Sequence, residues 1–180
     1  HWIQGFAGSG KSVLLVHIVQ RLLAEKPNLK PCVAVFTHAL KDMINTGFKE
    51  EFGLKVEVMT YNKFLRDRIK YDFVAVDEVQ DIPRNKLQRI KGLAKHIVVA
   101  GDNEQSIYDG SSTAEEIAKT LDPEIHLLVT IYRLTETIKN IVKTILPHGQ
   151  IENAPVSRKP EVKVTLAKAE GEYEEIKWVW

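Results

Sequence analysis

The stretch GFAGSGKS, residues 5–12, fits the pattern of a phosphate-binding loop. In that pattern a glycine, four further residues and then Gly-Lys-Ser let backbone N–H groups wrap phosphate oxygens. Lys11 would place its charge beside the β- and γ-phosphates, and the Ser12 hydroxyl would bind Mg²⁺. The loop therefore predicts a site for ATP with Mg²⁺. The residues expected to contact the nucleotide are Gly5, Ala7, Gly8, Ser9, Gly10, Lys11 and Ser12.

An acidic pair follows a later apolar run. Residues 73–76 predict a short buried strand, and Asp77 and Glu78 come directly after it, at the end where parallel sheets bind their ligands. Asp77 would hold the Mg²⁺ shell, and Glu78 would orient and deprotonate the attacking water. The alternative is a solvent-exposed acidic turn before a helix that begins near Pro83. The phosphate-binding loop upstream favours the catalytic interpretation.

Short apolar runs alternate with helical stretches, which at 180 residues suits one α/β domain. The alternation predicts a parallel sheet with helices on both faces. Ser112 and Glu115 fit a capping box that opens a helix ending near Thr120, and a further helix is predicted over residues 135–146. The apolar runs are residues 2–3, 33–36, 56–59, 73–76, 97–100 and 127–129.

Several segments, taken in their order along the chain, resemble the motifs of one known family. Residues 77–81, Asp-Glu-Val-Gln-Asp, resemble the Asp-Glu-x-Gln-Asp signature of superfamily 1 helicases of the UvrD/Rep type. Residues 101–108 resemble that family's Gly-Asp-x-x-Gln-Ser-Ile-Tyr element, and residues 131–133 are similar to its Asn-Tyr-Arg motif. The chain thus resembles the first RecA-like domain of these DNA helicases. Looser matches to two further motifs are residues 35–38 and 60–64.

The resemblance implies a RecA-like P-loop NTPase fold and an ATP hydrolase that drives a DNA helicase or translocase. It implies that Gln105 senses the γ-phosphate, that Arg133 stabilises charge on it and that Tyr132 lies against the adenine. Together with Lys11 and Glu78, Gln105 and Arg133 complete the expected catalytic set. Taken singly, the three residues have other interpretations: a surface glutamine, an arginine in an ordinary ion pair and a tyrosine packed in the core.

Single-stranded DNA is the partner that the resemblance implies, with RNA left open. In the family, polar and aromatic residues at the strand ends grip phosphates and stack on bases. His38 and Tyr61 have a structural alternative, because they could instead begin a helix and pack in the core. The candidates for nucleic-acid contact are Phe36, Thr37, His38, Thr60, Tyr61 and Tyr108.

The chain departs from the family directly after Tyr108. The family usually continues with Arg-Trp-Arg-Gly, whereas this chain has Asp109-Gly110-Ser111-Ser112. One stacking platform and two positive charges are therefore missing. This departure supports an alternative function, an ATP-dependent regulatory switch or partner-binding module that does not move on DNA. A phosphate-loop enzyme acting on a small molecule is a third possibility, and the Gln105 and Arg133 elements argue against it.

The charge of the chain is nearly balanced, with 25 Lys and Arg against 24 Asp and Glu, so nucleic-acid binding would need a local basic patch. A dense basic cluster consists of Lys63, Arg66, Arg68 and Lys70. It is equally compatible with a DNA-facing edge and with a solvated helix face.

Cys32, the single cysteine, is predicted to be buried, and it indicates a reducing, cytoplasmic setting. No apolar run in the sequence is long enough to cross a membrane.

We expect three parts along the chain: a RecA-like ATP-binding domain over residues 1–147, a linker over 148–160, and the start of a second RecA-like domain over 161–180. Compared with the family, the chain lacks the adenine-reading glutamine segment upstream and most of the second domain. That missing domain supplies an arginine to the ATP cleft in the family. The chain alone is therefore expected to bind MgATP weakly and to hydrolyse it very slowly.

Overall fold

The computed structural model describes residues 1–102, 110–145 and 154–156, which form a six-stranded sheet flanked by helices. A short 3-10 turn, Val79–Asp81, follows the fourth strand. The strands are β1 (Trp2–Gly5), β2 (Pro31–Val35), β3 (Glu57–Thr60), β4 (Tyr71–Val76), β5 (Ala94–Gly101) and β6 (Ile125–Leu128). The helices are α1 (Lys11–Glu25), α2 (His38–Phe52), α3 (Tyr61–Asp67), α4 (Arg84–Gly92), α5 (Ala114–Leu121) and α6 (Glu136–Ile145).

The strand order places the predicted site at the centre of the sheet. The order is β3-β2-β4-β5-β1-β6, and every neighbouring pair runs parallel. β5 lies between β4 and β1, with Val76 opposite Val99 and Gln4 opposite Gly101. The acidic pair after β4 and the phosphate-binding loop after β1 therefore lie on the two sides of the end of β5.

Helices cover both faces of the sheet, as predicted. Along β4, Val74 and Val76 pack into a core that includes residues of α3, α4 and α5. Phe73 and Ala75 point to the opposite face and pack with residues of α1 and α2. Because side chains alternate across a strand, one apolar run supplies both cores. The predicted α/β class is confirmed.

Most strands extend beyond their apolar runs, and β5 and β6 show why. β5 begins at Ala94, because Tyr71 of β4 pairs with it, so the exposed Lys95 and His96 are part of the strand. β6 begins at Ile125, earlier than predicted, because it pairs with Trp2 at the start of β1. Backbone pairing with a neighbour sets these boundaries, and a search for apolar residues does not detect it.

The capping box of α5 lies one residue later than predicted. The Thr113 hydroxyl accepts the Glu116 N–H at 3.2 Å, and the Glu116 carboxylate accepts the Thr113 N–H at 3.0 Å. Ser112 and Glu115, the predicted pair, do not make this exchange. Ser112 is buried, and its hydroxyl donates a hydrogen bond to the carbonyl of Ile82 at 2.5 Å. A core contact therefore occupies the residue that the pattern assigned to the cap.

Residues 154–156 fall within the predicted linker and pack against the domain. Ile131 N–H donates to the carbonyl of Pro155 at 2.9 Å, and Val156 forms an isolated parallel bridge with Ile131. The Lys139 ammonium donates a hydrogen bond to the carbonyl of Ala154 at 2.6 Å. The remainder of the predicted linker and the predicted start of a second domain lie outside the described residues, so the domain boundaries stay predictions.

Cys32 lies in β2 and is fully buried. Burial raises the pKa of its thiol to about 12, which makes it an unreactive core residue, as expected. Across residues 1–102, 110–145 and 154–156, no helix has the length and apolar character needed to span a bilayer.

Candidate nucleotide-binding site

The phosphate-binding loop joins the end of β1 to the first turn of α1. Gly8 and Gly10 have φ angles of 75° and 93°, in the left-handed region that side chains rarely adopt. The Gly10 carbonyl accepts the N–H of Leu14 at 2.9 Å, and no side chain caps the start of α1. The first amides of a helix without a side-chain cap are free to bind an anion, and the helix dipole favours it.

The lysine of the loop holds its charge against the loop backbone. Lys11 is only 7% exposed, and its ammonium donates to the carbonyls of Gly5 at 2.7 Å and Phe6 at 3.1 Å. Ser9, also buried, has a hydroxyl oxygen with no hydrogen-bond partner among the described residues. Phosphate oxygens can replace the two carbonyls as acceptors and can also accept from Ser9.

The two residues that the resemblance assigned to the nucleotide lie beside this loop. Tyr132 N–H donates to the carbonyl of Gly8 at 2.9 Å. A Cβ on Gly8 would collide with the Cβ of Arg133, so the two backbones are in close contact. Arg133 is exposed and the Tyr132 ring is 55% exposed, which rules out the core interpretation of Tyr132. Their roles toward adenine and γ-phosphate stay predictions.

Asp77 is fully buried, and its carboxyl lies near Ser12 and Lys11 of the phosphate-binding loop. Its Oδ1 accepts the N–H of Glu78 at 3.1 Å, and its Oδ2 has no hydrogen-bond partner among the described residues. Burial raises the pKa of Asp77 to about 6; the nearby Ser12 hydroxyl and Lys11 charge oppose the rise and the Glu78 charge adds to it.

These donors fit a divalent cation. Mg²⁺ prefers oxygen ligands, and the Ser12 hydroxyl lies beside a buried carboxylate that retains an oxygen without a partner. A cation there would offset the cost of burying the Asp77 charge. Ser12 and Asp77 are therefore compatible with the magnesium role predicted for them.

The buried Asp77 carboxyl predicts a pH-dependent stability difference between the wild type and Asp77→Asn. Because its folded pKa is raised from 3.8 to about 6, the folded state keeps a proton that the unfolded state loses between these values. Stability present at low pH is therefore lost as the pH rises through 6. Between pH 5 and pH 7 the wild type should lose about 1 kcal/mol of unfolding free energy that Asp77→Asn keeps.

Urea unfolding of both proteins at the two pH values, without Mg²⁺, measures this difference. Asp72→Asn is the control, because Asp72 is partly exposed and its hydrogen bond with Lys95 lowers its carboxyl pKa. Because Asp72→Asn keeps Asp77, its unfolding free energy should fall between pH 5 and pH 7 by the same amount as that of the wild type. Parallel pH profiles for the wild type and Asp77→Asn would show that Asp77 is not a destabilising buried charge.

Glu78 adopts a left-handed backbone conformation, with φ and ψ both 51°. Such a conformation is strained for a residue with a Cβ and is frequent at functional sites. Its carboxylate accepts a hydrogen bond at 2.8 Å from the amide of Gln80, which is itself buried. Gln80 belongs to the 77–81 signature, but no role was predicted for it from the sequence. Its place in that signature was the signal that could have identified it.

The two threonines predicted to contact nucleic acid are helix caps. The Thr37 hydroxyl accepts the N–H of Leu40 at 3.2 Å and begins α2. The Thr60 hydroxyl accepts the N–H of Lys63 at 3.4 Å and begins α3. Each hydroxyl keeps a donor proton for a phosphate oxygen, because capping uses it only as an acceptor. Their contact with nucleic acid stays a prediction.

The aromatic candidates pack against each other. The rings of Phe36 and Tyr61 stack with centroids 5.7 Å apart, and Tyr61 is only 6% exposed. The Lys86 ammonium lies 5.0 Å from the centre of the Tyr61 ring. His38 is exposed as the first residue of α2. The positions of His38 and Tyr61 thus agree with the helix-start and core alternatives, and Phe36 is only partly buried.

A cavity of about 510 Å³ opens beside these residues, at the C-terminal ends of β2 and β3. Lys63 forms an ion pair with Asp67, and Lys41 pairs with Asp42 at 3.1 Å. The basic side chains at the cavity come from α2 and α3 and face one concave surface. Its lining includes Phe36, His38, Thr60, Lys41, Lys63 and Arg66.

Gln105 and Tyr108, predicted to sense the γ-phosphate and to stack on a base, lie outside the described residues. Asp102, directly after β5, is the last described residue before them. Both roles stay predictions.

Comparisons with known proteins agree with this architecture. Arterivirus nonstructural protein 10 (helicase) in a complex with DNA matches with a TM-score of 0.65 and 18% identity, over 95% of this chain and 45% of that one. The PRRSV helicase matches with a TM-score of 0.55 and 14% identity, over 79% of this chain and 33% of that one. The UvsW helicase from bacteriophage T4 matches with a TM-score of 0.51 and 16% identity, over 69% of this chain and 53% of that one. At such identities these likenesses show the fold.

The chain spans between about one third and one half of the length of these helicases. No curated protein matches the sequence. Residues 1–133 match the viral superfamily 1 RNA helicase core domain, which confirms the superfamily 1 part of the resemblance. Since the match covers most of the 180 residues, the chain belongs to the viral superfamily 1 RNA helicase core domain family.

Proposed function

We propose that the chain is the ATP-hydrolysing motor domain of a helicase or translocase that moves on single-stranded nucleic acid. One observation supports this proposal most. A buried carboxylate oxygen of Asp77 without a hydrogen-bond partner lies in a site shared with the Ser12 hydroxyl, the Lys11 ammonium and Glu78. Those are the groups that binding and hydrolysing a magnesium-bound triphosphate requires.

Each of these residues has a distinct task in the proposed reaction. The loop amides and Lys11 bind the phosphates, and Ser12 and Asp77 would hold Mg²⁺, which neutralises charge on them. Glu78 orients a water and takes its proton as that water attacks the γ-phosphorus. Arg133, beside Gly8, would stabilise negative charge on the transferred group. Gln105 and Tyr132 keep the tasks that the resemblance implies.

A second RecA-like domain is part of the proposal. The matched helicases are two to three times longer than the region they share with this chain, which leaves room for such a domain. It would close the ATP cleft and supply a further arginine, a contribution worth roughly 10³–10⁵ in turnover in related phosphoryl-transfer enzymes. Hydrolysis is therefore best measured on the full-length protein.

Single-stranded DNA is the proposed track, with RNA as the competing one. The UvrD/Rep-like signatures at residues 77–81 and 101–108 favour DNA, whereas the family is described as RNA helicases. The basic cavity at the ends of β2 and β3 would bind backbone phosphates of either. The buried thiol of Cys32 supports the proposed reducing, cytoplasmic setting.

A regulatory switch that binds ATP without moving on nucleic acid is the second candidate. It is favoured by the missing Arg-Trp after Tyr108 and by the Phe36 and Tyr61 rings, which stack on each other. Rings already packed together offer less surface for a base.

ATP turnover by the full-length protein, measured alone and with single-stranded DNA or RNA, separates these functions. A motor should hydrolyse ATP slowly alone and strongly faster with its own track. Equal rates with and without either nucleic acid would favour the switch. The more strongly stimulating polymer identifies the track.

Removing two cavity charges should weaken nucleic-acid binding without affecting ATP. Lys41→Ala combined with Arg66→Ala deletes two basic groups that line the cavity. The slope of log affinity against log salt should become shallower by about 1.4, since each single-strand phosphate contact contributes about 0.7. Fluorescence anisotropy with a labelled oligonucleotide measures it. Lys55→Ala, just before β3 at the end of that strand away from Thr60, should leave the slope unchanged. An unchanged slope in the double variant would exclude this cavity from the track.

A further inference from the structure

The side chain of Gln80 connects the acidic pair to the end of β5. Its Nε2 donates to Glu78 Oε2 at 2.8 Å, and its Oε1 accepts the backbone N–H of Asp102 at 3.2 Å. Gln80 is 1% exposed, and its own carbonyl accepts the N–H of Ser112 at 3.0 Å. Both ends of the amide and its backbone are therefore held in place.

The orientation of this amide follows from the donors around it. A backbone N–H can only donate, so the Asp102 N–H requires the oxygen of the Gln80 amide to face it. The nitrogen must then face Glu78. This N–H donor fixes the position of the Glu78 carboxylate oxygen that it contacts.

β5 approaches this side chain closely at Gly101. A Cβ on Gly101 would collide with Gln80 Oε1 and would lie 2.9 Å from Val79 Cγ1. Glycine at position 101 thus permits the contact between Gln80 and Asp102. Replacing Gly101 should displace the Gln80 amide while leaving Gln80 itself in the sequence.

We propose that Gln80 is a positioning residue that holds the Glu78 carboxylate aimed for hydrolysis and couples it to the end of β5. The inference rests on the proposed function of Glu78 as the general base. Asp102, its other partner, lies three residues before Gln105. Gln80 therefore ties the base to the chain segment that carries the residue expected to sense the γ-phosphate.

Steady-state hydrolysis and ATP affinity of full-length variants test the coupling. Gln80→Met removes both hydrogen bonds while keeping the side-chain length. Gln80→Glu keeps an acceptor for Asp102 but replaces the donor to Glu78 with a like charge. Both should lower kcat by about 10²-fold, the cost of a small misplacement of a catalytic group. The Kd for ATP should stay unchanged in both, which a merely structural defect would not allow.

Two further variants distinguish positioning from packing. In a Glu78→Gln background, Gln80→Met should cause no additional loss, because it acts only through Glu78. Gly101→Ala should reproduce the kcat loss with Gln80 present. Normal turnover of both Gln80 variants, or a full additional loss in the Glu78→Gln background, would overturn the proposal.

The same set of variants separates this inference from the proposed function. If Glu78→Gln itself hydrolyses ATP normally, Glu78 is not the base and the proposed function of the site fails. If Glu78→Gln is inactive while Gln80→Met and Gln80→Glu are not, only the positioning role fails. ATP binding by each variant reports that its nucleotide site has folded.

Discussion

Glu78→Gln should nearly abolish ATP hydrolysis by the full-length protein while ATP still binds. General-base catalysis contributes about 10²–10⁴-fold, so turnover should fall by that factor. Binding should persist because the substitution leaves Lys11, Ser12 and Asp77 unchanged. The substituted amide retains an oxygen that can still accept from Gln80 Nε2, which keeps the left-handed backbone at this position supported.

Single-turnover hydrolysis and a fluorescent ATP analogue provide the two readouts. Glu115→Gln is the matched control: its carboxylate is 76% exposed on α5 and pairs with Lys119. It should behave as the wild type in both assays. Loss of ATP binding equal to the loss of hydrolysis would mean that Glu78 supports the architecture of the site and does not activate water.

Lys11→Ala should remove most of the affinity for MgATP. The ammonium is the strongest cationic donor of the loop, and truncating one partner of a buried charge pair costs about 2–5 kcal/mol, or roughly 30-fold or more in Kd. The loop backbone should survive, because Gly5 and Phe6 are only partly buried and their carbonyls can accept from water instead.

Isothermal titration calorimetry with MgATP measures the loss. Lys26→Ala removes an equally long cation at the other end of α1, where Lys26 is exposed, and it should not change the Kd. Thermal unfolding of both variants checks that the domain is intact. MgATP affinity equal to the wild type in a folded Lys11→Ala protein would contradict the assignment of the loop.

The sequence predicted the phosphate-binding loop and the strands beside it because those features are local. Residues 5–12 match a pattern whose spacing is set by contact with phosphate, and β4 is a run of apolar residues in a sheet buried on both faces. The order of the strands and the start of β6 depend on pairing between distant residues, such as Trp2 with Ile125. No local pattern carries that information.

The sequence predicted which residues form the site more fully than it predicted the hydrogen bonds between them. Asp77 and Glu78 were identified from their position after a strand, whereas the role of Gln80 depends on a hydrogen bond to Asp102, 22 residues away. Thr37 and Thr60 were predicted to face nucleic acid, and the structure adds that each caps a helix. A hydroxyl can serve both purposes, so sequence alone does not distinguish them.

Two backbone hydrogen bonds connect the phosphate-binding loop to residues 154–156 through Ile131 and Tyr132. Tyr132 is tethered to Gly8, and its neighbour Ile131 is tethered to Pro155. Only one peptide unit separates the two tethers. The loop and residues 154–156 are therefore held to the same short stretch of backbone. A substitution that disturbs the backbone at Tyr132 should consequently loosen both the loop at Gly8 and the packing of residues 154–156.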